Sequence, residues 1–241
     1  MMNRSSFEFC RTPVWYPSLA NHTFVTSFVR LRDEEITALQ KGETDTPVAR
    51  GVIARMSEPM NAFKGNCFVF VDSAAPTDTE RFAGKRGAVF SARSAWRYLA
   101  ESAKVRRSAA DGQVQYICIR PFRRMNQTRE FRLFIHGRQL KGMSQYWLIR
   151  HFRRLEGHKQ RFWAMAEKFV SEIAWVLPMD NIVMDIYLTS ADEILIVDFN
   201  PWGEPTKPLL FDRWDRDWNK AEGIKLIPPP MKISGDINVS F

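Results

Sequence analysis

Two short apolar runs late in the chain, Ile182 to Leu188 and Ile194 to Phe199, each contain a carboxylate where a buried strand ordinarily has none. Asp185 interrupts the first, and Asp198 ends the second just before Asn200 and Pro201. The segment between them, Thr189-Ser190-Ala191-Asp192-Glu193, is polar, so the two runs read as antiparallel strands joined by a short connection. If Thr189 opposes Ile194, Asp185 lies directly opposite Asp198, and alternation along the strand puts Asn200 on the same face as Asp198. Two facing carboxylates repel unless a cation compensates them, and burying one unpaired is expensive. A register one residue different would break this arrangement. Capping of the turn at Pro201 and Gly203 is the competing use of Asp198 and Asn200.

The 241 residues are enough for a large core, as one big domain or as two closely packed lobes. The polar start and the lack of any apolar run near the roughly 18 residues of a membrane span predict a soluble, cytoplasmic protein with no targeting segment. Cys10, Cys67 and Cys118 lack metal-ligand spacing and read as reduced structural residues. A formal net charge of +8 favours anionic partners without choosing among nucleotides, nucleic acid, acidic protein surfaces and anionic lipid. Arginines cluster at Arg106 and Arg107, at Arg120, Arg123 and Arg124, and at Arg150, Arg153 and Arg154. The last cluster lies near Tyr146, Trp147 and Phe152, a pattern that suits RNA contact and also ordinary mixed packing.

Along the chain, Phe7 to Ala20 is aromatic but too irregular for a good helix, and reads as a segment pinned to the body. Phe24 to Val29 and Phe68 to Val71 read as strands, Asp33 to Leu39 and Ser91 to Ala103 as helices, with Ser91 as a cap. Polar Ser108 to Gly112 marks a soft boundary between residues 1–112, a first lobe with its N-terminal segment, and residues 113–241, a second lobe. Three strands are expected at Gln115 to Arg120, Glu130 to His136 and Gln139 to Tyr146, the last two joined in a hairpin at Gly137-Arg138. On the middle strand Glu130, Arg132 and Phe134 share one face, and Phe131, Leu133 and Ile135 the other. Gln160 to Leu177 carries Phe162, Ala166, Phe169, Ile173 and Leu177 at helical spacing, an apolar stripe that covers a sheet.

Asp185, Asp198, Asn200, Glu130 and Arg132 form the candidate constellation. Oxygen ligands of this kind suit magnesium, which keeps water and bridges phosphates, while an arginine neutralises phosphate or holds a carboxylate. The alternative for Glu130 and Arg132 is a pair of neighbours on a wet sheet face. Arg120, at a strand end, either lines a nucleotide cleft or is an ordinary exposed arginine. Lys64 and Lys85 are candidate phosphate contacts outside any diagnostic motif. His22, His136, His151 and His158 form no zinc set, and neither a Gly-rich phosphate loop nor a nucleophile elbow is present.

In order along the chain, Cys10, Trp15-Tyr16-Pro17, Thr23 to Leu31, Ala75-Pro76-Thr77-Asp78, Arg120, Glu130-Phe131-Arg132 and Ser144-Gln145 form a recognisable series. It continues with Asp185-Ile186-Tyr187, Asp198-Phe199-Asn200-Pro201, Thr206, Leu209-Leu210-Phe211 and Trp214. Over roughly residues 7 to 215 the chain resembles the D123 family, the group containing cell division cycle protein 123. The resemblance implies an α+β, two-lobed ATP-grasp-like fold with mixed and antiparallel sheets and flanking helices. It implies Mg-ATP at an interlobe cleft, with Arg120, Glu130, Arg132, Asp185, Asp198 and Asn200 as cofactor-binding residues and Asp185, Asp198 and Asn200 as the metal end. The chain departs from the family where a phosphate-contacting lysine is common: Phe70 stands there, and Thr77 replaces a later lysine.

The resemblance leaves three functions. The first couples Mg-ATP to ligation through an acylphosphate, or to phosphoryl transfer, with no catalytic residue assigned. The second is an assembly factor or chaperone, as eukaryotic relatives assemble translation initiation factor 2 by binding its gamma subunit, with nucleotide as a conformational ligand. The third is a scaffold that has lost nucleotide binding, which Phe70 and Thr77 favour.

Overall fold

The computed structural model describes residues 4–230. Its first two elements are helices, α1 (Arg4–Phe9) and α2 (Thr12–Leu19), where the sequence reads as irregular because Pro13 and Pro17 both fall inside α2. Tertiary contacts override that local cost. Trp15 and Leu19 are buried, and the Trp15 indole donates to the Cys10 carbonyl at 3.2 Å. Arg11 donates through Nε to buried Asp72 at 3.1 Å. The segment is pinned to the body, as its aromatic content suggests.

The first lobe follows. β1 (Ser27–Arg30) leads to α3 (Asp33–Lys41), whose acidic first turn suits the positive helix start and whose last turn closes on Gly42 at φ 72°. α4 (Pro47–Ala62) buries Ala49, Val52, Met56 and Met60 at helical spacing, a stripe that Gly51 and Pro59 disguise in the sequence. β2 (Cys67–Val71), α5 (Glu80–Lys85), α6 (Ala92–Glu101) and α7 (Ala103–Ala110) come next. Ser91 caps α6 as expected, accepting from Ser94 N at 3.2 Å, and Trp96 and Leu99 are fully buried. β3 (Tyr116–Pro121) then lies between β1 and β2, antiparallel to both, with Cys118 opposite Phe28 on one side and Phe70 on the other. The first sheet therefore keeps the chain to Pro121, and the polar stretch around residue 112 is only the exit from α7.

The second lobe is built on five strands. β4 (Glu130–His136) and β5 (Gln139–Gln145) form the expected hairpin, with Gly137 and Arg138 at φ 58° and 60°, the left-handed pair that a two-residue turn matching strand twist requires. α8 (Arg153–Glu156), α9 (Lys159–Ile173), β6 (Ile182–Leu188), β7 (Ile194–Pro201) and β8 (Gly223–Lys225) complete it. The strand order is β7-β6-β4-β5-β8, antiparallel except for β8, which runs parallel to β5. α9 lays Phe162, Ala166, Phe169 and Ile173 on the sheet face formed by Phe131, Leu133, Ile135, Met184 and Ile186. Each large side chain buried there contributes about 1.5–3 kcal/mol.

Trp15 and Leu19 join this second core while Arg11 grips Asp72 at the end of β2, so the N-terminal segment ties both lobes together. The architecture is the expected two-lobed α+β fold with antiparallel and mixed sheets and flanking helices. No helix among the described residues is long and apolar enough to cross a membrane.

Candidate functional site

β6 and β7 leave their connection with Leu188, not Thr189, opposite Ile194, one residue away from the register read in the sequence. A bulge at Val197 then corrects the offset: Ile186 pairs with Ile196, and Asp185 pairs with Asp198. The two carboxylates thus face each other for a reason that alternation does not contain. Without the bulge Asp198 would turn toward the α9 core.

Extending the pairings gives a polar row across all five strands, Asp198, Asp185, Arg132, Ser144 and Lys225 in spatial order. Arg132 and Asp185 form a bidentate ion pair, Nε to Oδ1 at 2.7 Å and Nη2 to Oδ2 at 2.8 Å, and both residues are only 7% exposed. Arg132 Nη1 also donates to the Lys207 carbonyl at 2.9 Å, and the Asn200 amide donates to Asp185 Oδ2 at 3.0 Å. Burial disfavours the charged Arg132 guanidinium, but Asp185 more than offsets this and holds the arginine above its ordinary pKa. Glu130 and Arg132 are therefore buried, not neighbours on a wet face. The turn after Pro201 is secured by Thr206, whose hydroxyl donates to the Pro201 carbonyl at 2.7 Å, so capping it is not the task of Asp198 or Asn200.

The six candidate residues do not line a single cavity. Arg120 and Glu130 face the larger cleft, with about 700 Å³ of empty space counted to its mouth, whose walls include Phe24, Phe68, Phe82 and Trp147. Asp198 and Asn200 face a smaller cavity of about 370 Å³ beside Arg11, Asp72 and Ser73. Val197 lines the larger cleft and Asp198 the smaller, so the bulge lies between them. Asp185 and Arg132 lie behind, occupied with each other.

Arg120 is buried rather than an ordinary exposed arginine. Its Nε donates to Thr26 Oγ1 at 2.9 Å and its Nη1 to the Val197 carbonyl at 3.0 Å, while the guanidinium stacks 4.7 Å from the Phe70 ring centre. Its Nη2 is buried without a partner. Phe70, where the family resemblance leads one to expect a lysine, thus serves as the wall beneath Arg120. Neither Lys64 nor Lys85 lines the cleft, whereas Arg86 does, a residue that sequence reading passed over. Arg86 ends α5 in the left-handed region at φ 53°, and Gly87 follows at φ 80°. This turn directs the chain back into the cleft wall.

Trp147 belongs to the same wall from the second lobe. Its ring stacks on Phe82 of the first lobe at 6.5 Å and 18°, and Arg86 lies 5.8 Å from its centre. The indole Nε1 is buried without a well-formed hydrogen bond, although it faces Glu130 closely enough to favour that carboxylate. Burial pushes Glu130 up to about pKa 7, with the Asp185 charge adding to the rise and Trp147 and Arg86 opposing it. Unpartnered buried donors are rare enough to require explanation. Here two of them, Arg120 Nη2 and Trp147 Nε1, border the same cleft as a buried carboxylate.

At the other cavity, burial and the facing Asp185 push Asp198 up to about pKa 7, with Arg120 pulling the other way. The Asp198 carboxylate accepts from Phe199 N at 3.0 Å. Among the described residues no group of three or more His, Cys, Asp or Glu side chains lies close enough to enclose a metal ion. The expected set of Asp185, Asp198 and Asn200 is accordingly not an all-protein cage, because Asp185 is committed to Arg132 and Asn200. What remains, the Asp198 carboxylate with the Asn200 amide oxygen and Asp185 charge behind them, is the sparse oxygen set that suits magnesium carrying water and phosphate.

The model of the D123 family matches residues 94–222. The chain belongs to the D123 family. Over 97 residues this D123 chain is 34% identical to the translation initiation factor eIF2 assembly protein of Xenopus tropicalis, a stretch covering 39% of the chain and 29% of that protein. Over 120 residues it is 33% identical to the protein of the same description from Kluyveromyces lactis, covering 47% of the chain and 31% of the relative. The matches thus span less than a third of these relatives' own length. The solved structure of C-terminally truncated Cdc123 from Schizosaccharomyces pombe has the same fold, with a TM-score of 0.81 at 16% identity over 95% of this chain and 99% of that one.

Proposed function

We propose that this D123 chain is a cytoplasmic assembly factor for a translation-factor partner, and that it binds Mg-ATP in its interlobe cleft as a conformational ligand. Family membership supports the assembly role, because the relatives it matches are translation initiation factor eIF2 assembly proteins. One observation carries the nucleotide: the Arg120 guanidinium, whose Nη2 lacks a partner, borders one aromatic cleft between the lobes together with the Trp147 indole and the Glu130 carboxylate. Aromatic walls with a few convergent polar groups are the ordinary make-up of a ligand cleft.

In this scheme Phe68, Phe82, Trp147 and Glu130 would hold the base and sugar, and Arg120 and Arg86 would hold the phosphates. Asp198 and Asn200 would hold magnesium, which when bound would supply charge neutralisation to the phosphates. Arg132 keeps Asp185 oriented behind them. Arg86 takes the place of the missing lysines, which is why Phe70 and Thr77 do not make the chain a nucleotide-free scaffold. Both lobes contribute walls, so a bound nucleotide stabilises one lobe arrangement, and a partner that reads that arrangement binds it more tightly.

Complex formation tests the assembly role. The purified chain is mixed with the gamma subunit of translation initiation factor 2 and followed by analytical ultracentrifugation, with and without Mg-ATP. A complex strengthened by Mg-ATP without ATP turnover is expected. A chain that forms no such complex but releases phosphate steadily would overturn the assembly reading in favour of catalysis.

A further inference from the structure

Beside the nucleotide cleft, and sharing Arg86, Met125 and Gln127 with it, lies a wide groove with about 1430 Å³ of space open to solvent. Arg86, Arg124, Arg150, Arg153, Arg154 and His151 line it, and no acidic residue does. None of the five arginines forms an ion pair among the described residues. Arg154 donates to Thr128 Oγ1 at 2.8 Å, Arg150 lies 5.2 Å from the Phe152 ring centre, and only Arg86 acts on a carboxylate, that of Glu130 in the adjoining cleft. His151 Nδ1 is 2.9 Å from the Ile227 carbonyl and 3.9 Å from Glu156, which itself pairs with Lys159 at 2.7 Å. So much unpaired positive charge on one wall raises the local potential and favours a polyanion.

Next to this wall the loop after β5 exposes Leu148 and Ile149, at 45% and 58%. Single-stranded nucleic acid is held by charged grooves that also offer exposed rings for base stacking. Here the rings in the lining, His151 and Phe152, are both half-buried, His151 against the Ile227 carbonyl and Phe152 beneath Arg150, and the exposed apolar groups beside the groove are aliphatic. We infer that the groove is a docking surface for an acidic, aliphatic-bearing polypeptide segment of the protein partner, its carboxylates engaging the arginine forks and its apolar side chains meeting Leu148 and Ile149. This deepens the assembly reading and rests on it. Because Arg86 and Gln127 belong to both the groove and the cleft, the segment and the nucleotide meet at shared residues.

Fluorescence anisotropy with two probes tests the inference: a labelled peptide repeating Glu-Leu-Asp-Ser, and a labelled oligouridylate of equal charge. The peptide is expected to bind more tightly than the RNA and to lose affinity as salt is raised. The triple variant Arg124→Glu, Arg150→Glu, Arg153→Glu should weaken the peptide by at least about tenfold, as should Leu148→Ser with Ile149→Ser. Nucleotide binding should be unchanged in both, which also shows that they fold. Tighter RNA binding, no binding of the peptide, or peptide affinity indifferent to both variants would each overturn the inference. If the gamma subunit still binds the charge-reversed chain at full strength, the groove proposal fails while the assembly reading stands.

Discussion

Asp185 faces Asp198 because Val197 is bulged out of β7, which corrects a one-residue offset set at the turn between β6 and β7. Asp185 is paired with Arg132, whereas Asp198 forms no ion pair among the described residues, and burial with the facing Asp185 charge pushes it up to about pKa 7. In the proposed scheme magnesium would displace the Asp198 proton. The affinity for Mg-ADP should therefore rise about tenfold between pH 6 and pH 8 and then level off, as expected for one group of pKa near 7. Titration calorimetry across that range, with Asp198→Asn as the variant that loses the dependence, checks it.

Two raised carboxylates, Glu130 and Asp198, contribute to the pH dependence of folding. Glu130 and Asp198 hold their protons up to about pH 7 in the folded chain, whereas unfolded carboxylates release theirs near pH 4. Between these values the folded state binds more protons, so stability falls as pH rises from about 4 to about 7 and is flat in this respect above. Urea midpoints measured across the range should show the decline, and Glu130→Gln with Asp198→Asn should flatten it.

The Arg132–Asp185 pair is buried on both sides, so removing one partner strands the other. Arg132→Met should destabilise the fold by about 3–5 kcal/mol in urea unfolding. Changing Asp185 to Leu in the same chain should recover much of that loss.

Arg86 is exposed enough that its removal leaves folding intact. Arg86→Ala should weaken ATP binding about tenfold, the loss of one charge-assisted contact, with an unchanged urea midpoint. Gly87→Ala should do the opposite. A Cβ there would lie 2.5 Å from the Tyr98 hydroxyl and 2.8 Å from the Phe68 ring at φ 80°, so stability should drop by more than about 1 kcal/mol.

Strong local signals made much of this fold legible. The Gly137-Arg138 hairpin, the α9 stripe and the Ser91 cap are each written in a few adjacent residues. α4 was hidden because Gly51 and Pro59 interrupt a valid apolar stripe, and α2 because burial of Trp15 and Leu19 outweighs two prolines. The sheet membership of β3 depends on strand pairing far along the chain, so a polar stretch at residue 112 misplaced the division. At the site, carboxylates inside apolar strands drew attention to Asp185 and Asp198. Arg86 and the exposed arginine wall had no such contrast around them, and only the fold brings Arg86, Arg124 and Arg150 to one groove. The bulge at Val197 has no residue signature at all.

Binding of ATP, measured by calorimetry on the intact chain with and without magnesium, tests the nucleotide site most directly. Saturable binding that magnesium strengthens, weakened at least about tenfold by Asp198→Ala and by Arg120→Ala in folded protein, is the predicted result. A folded chain that binds neither ATP nor ADP, with or without magnesium, would contradict it.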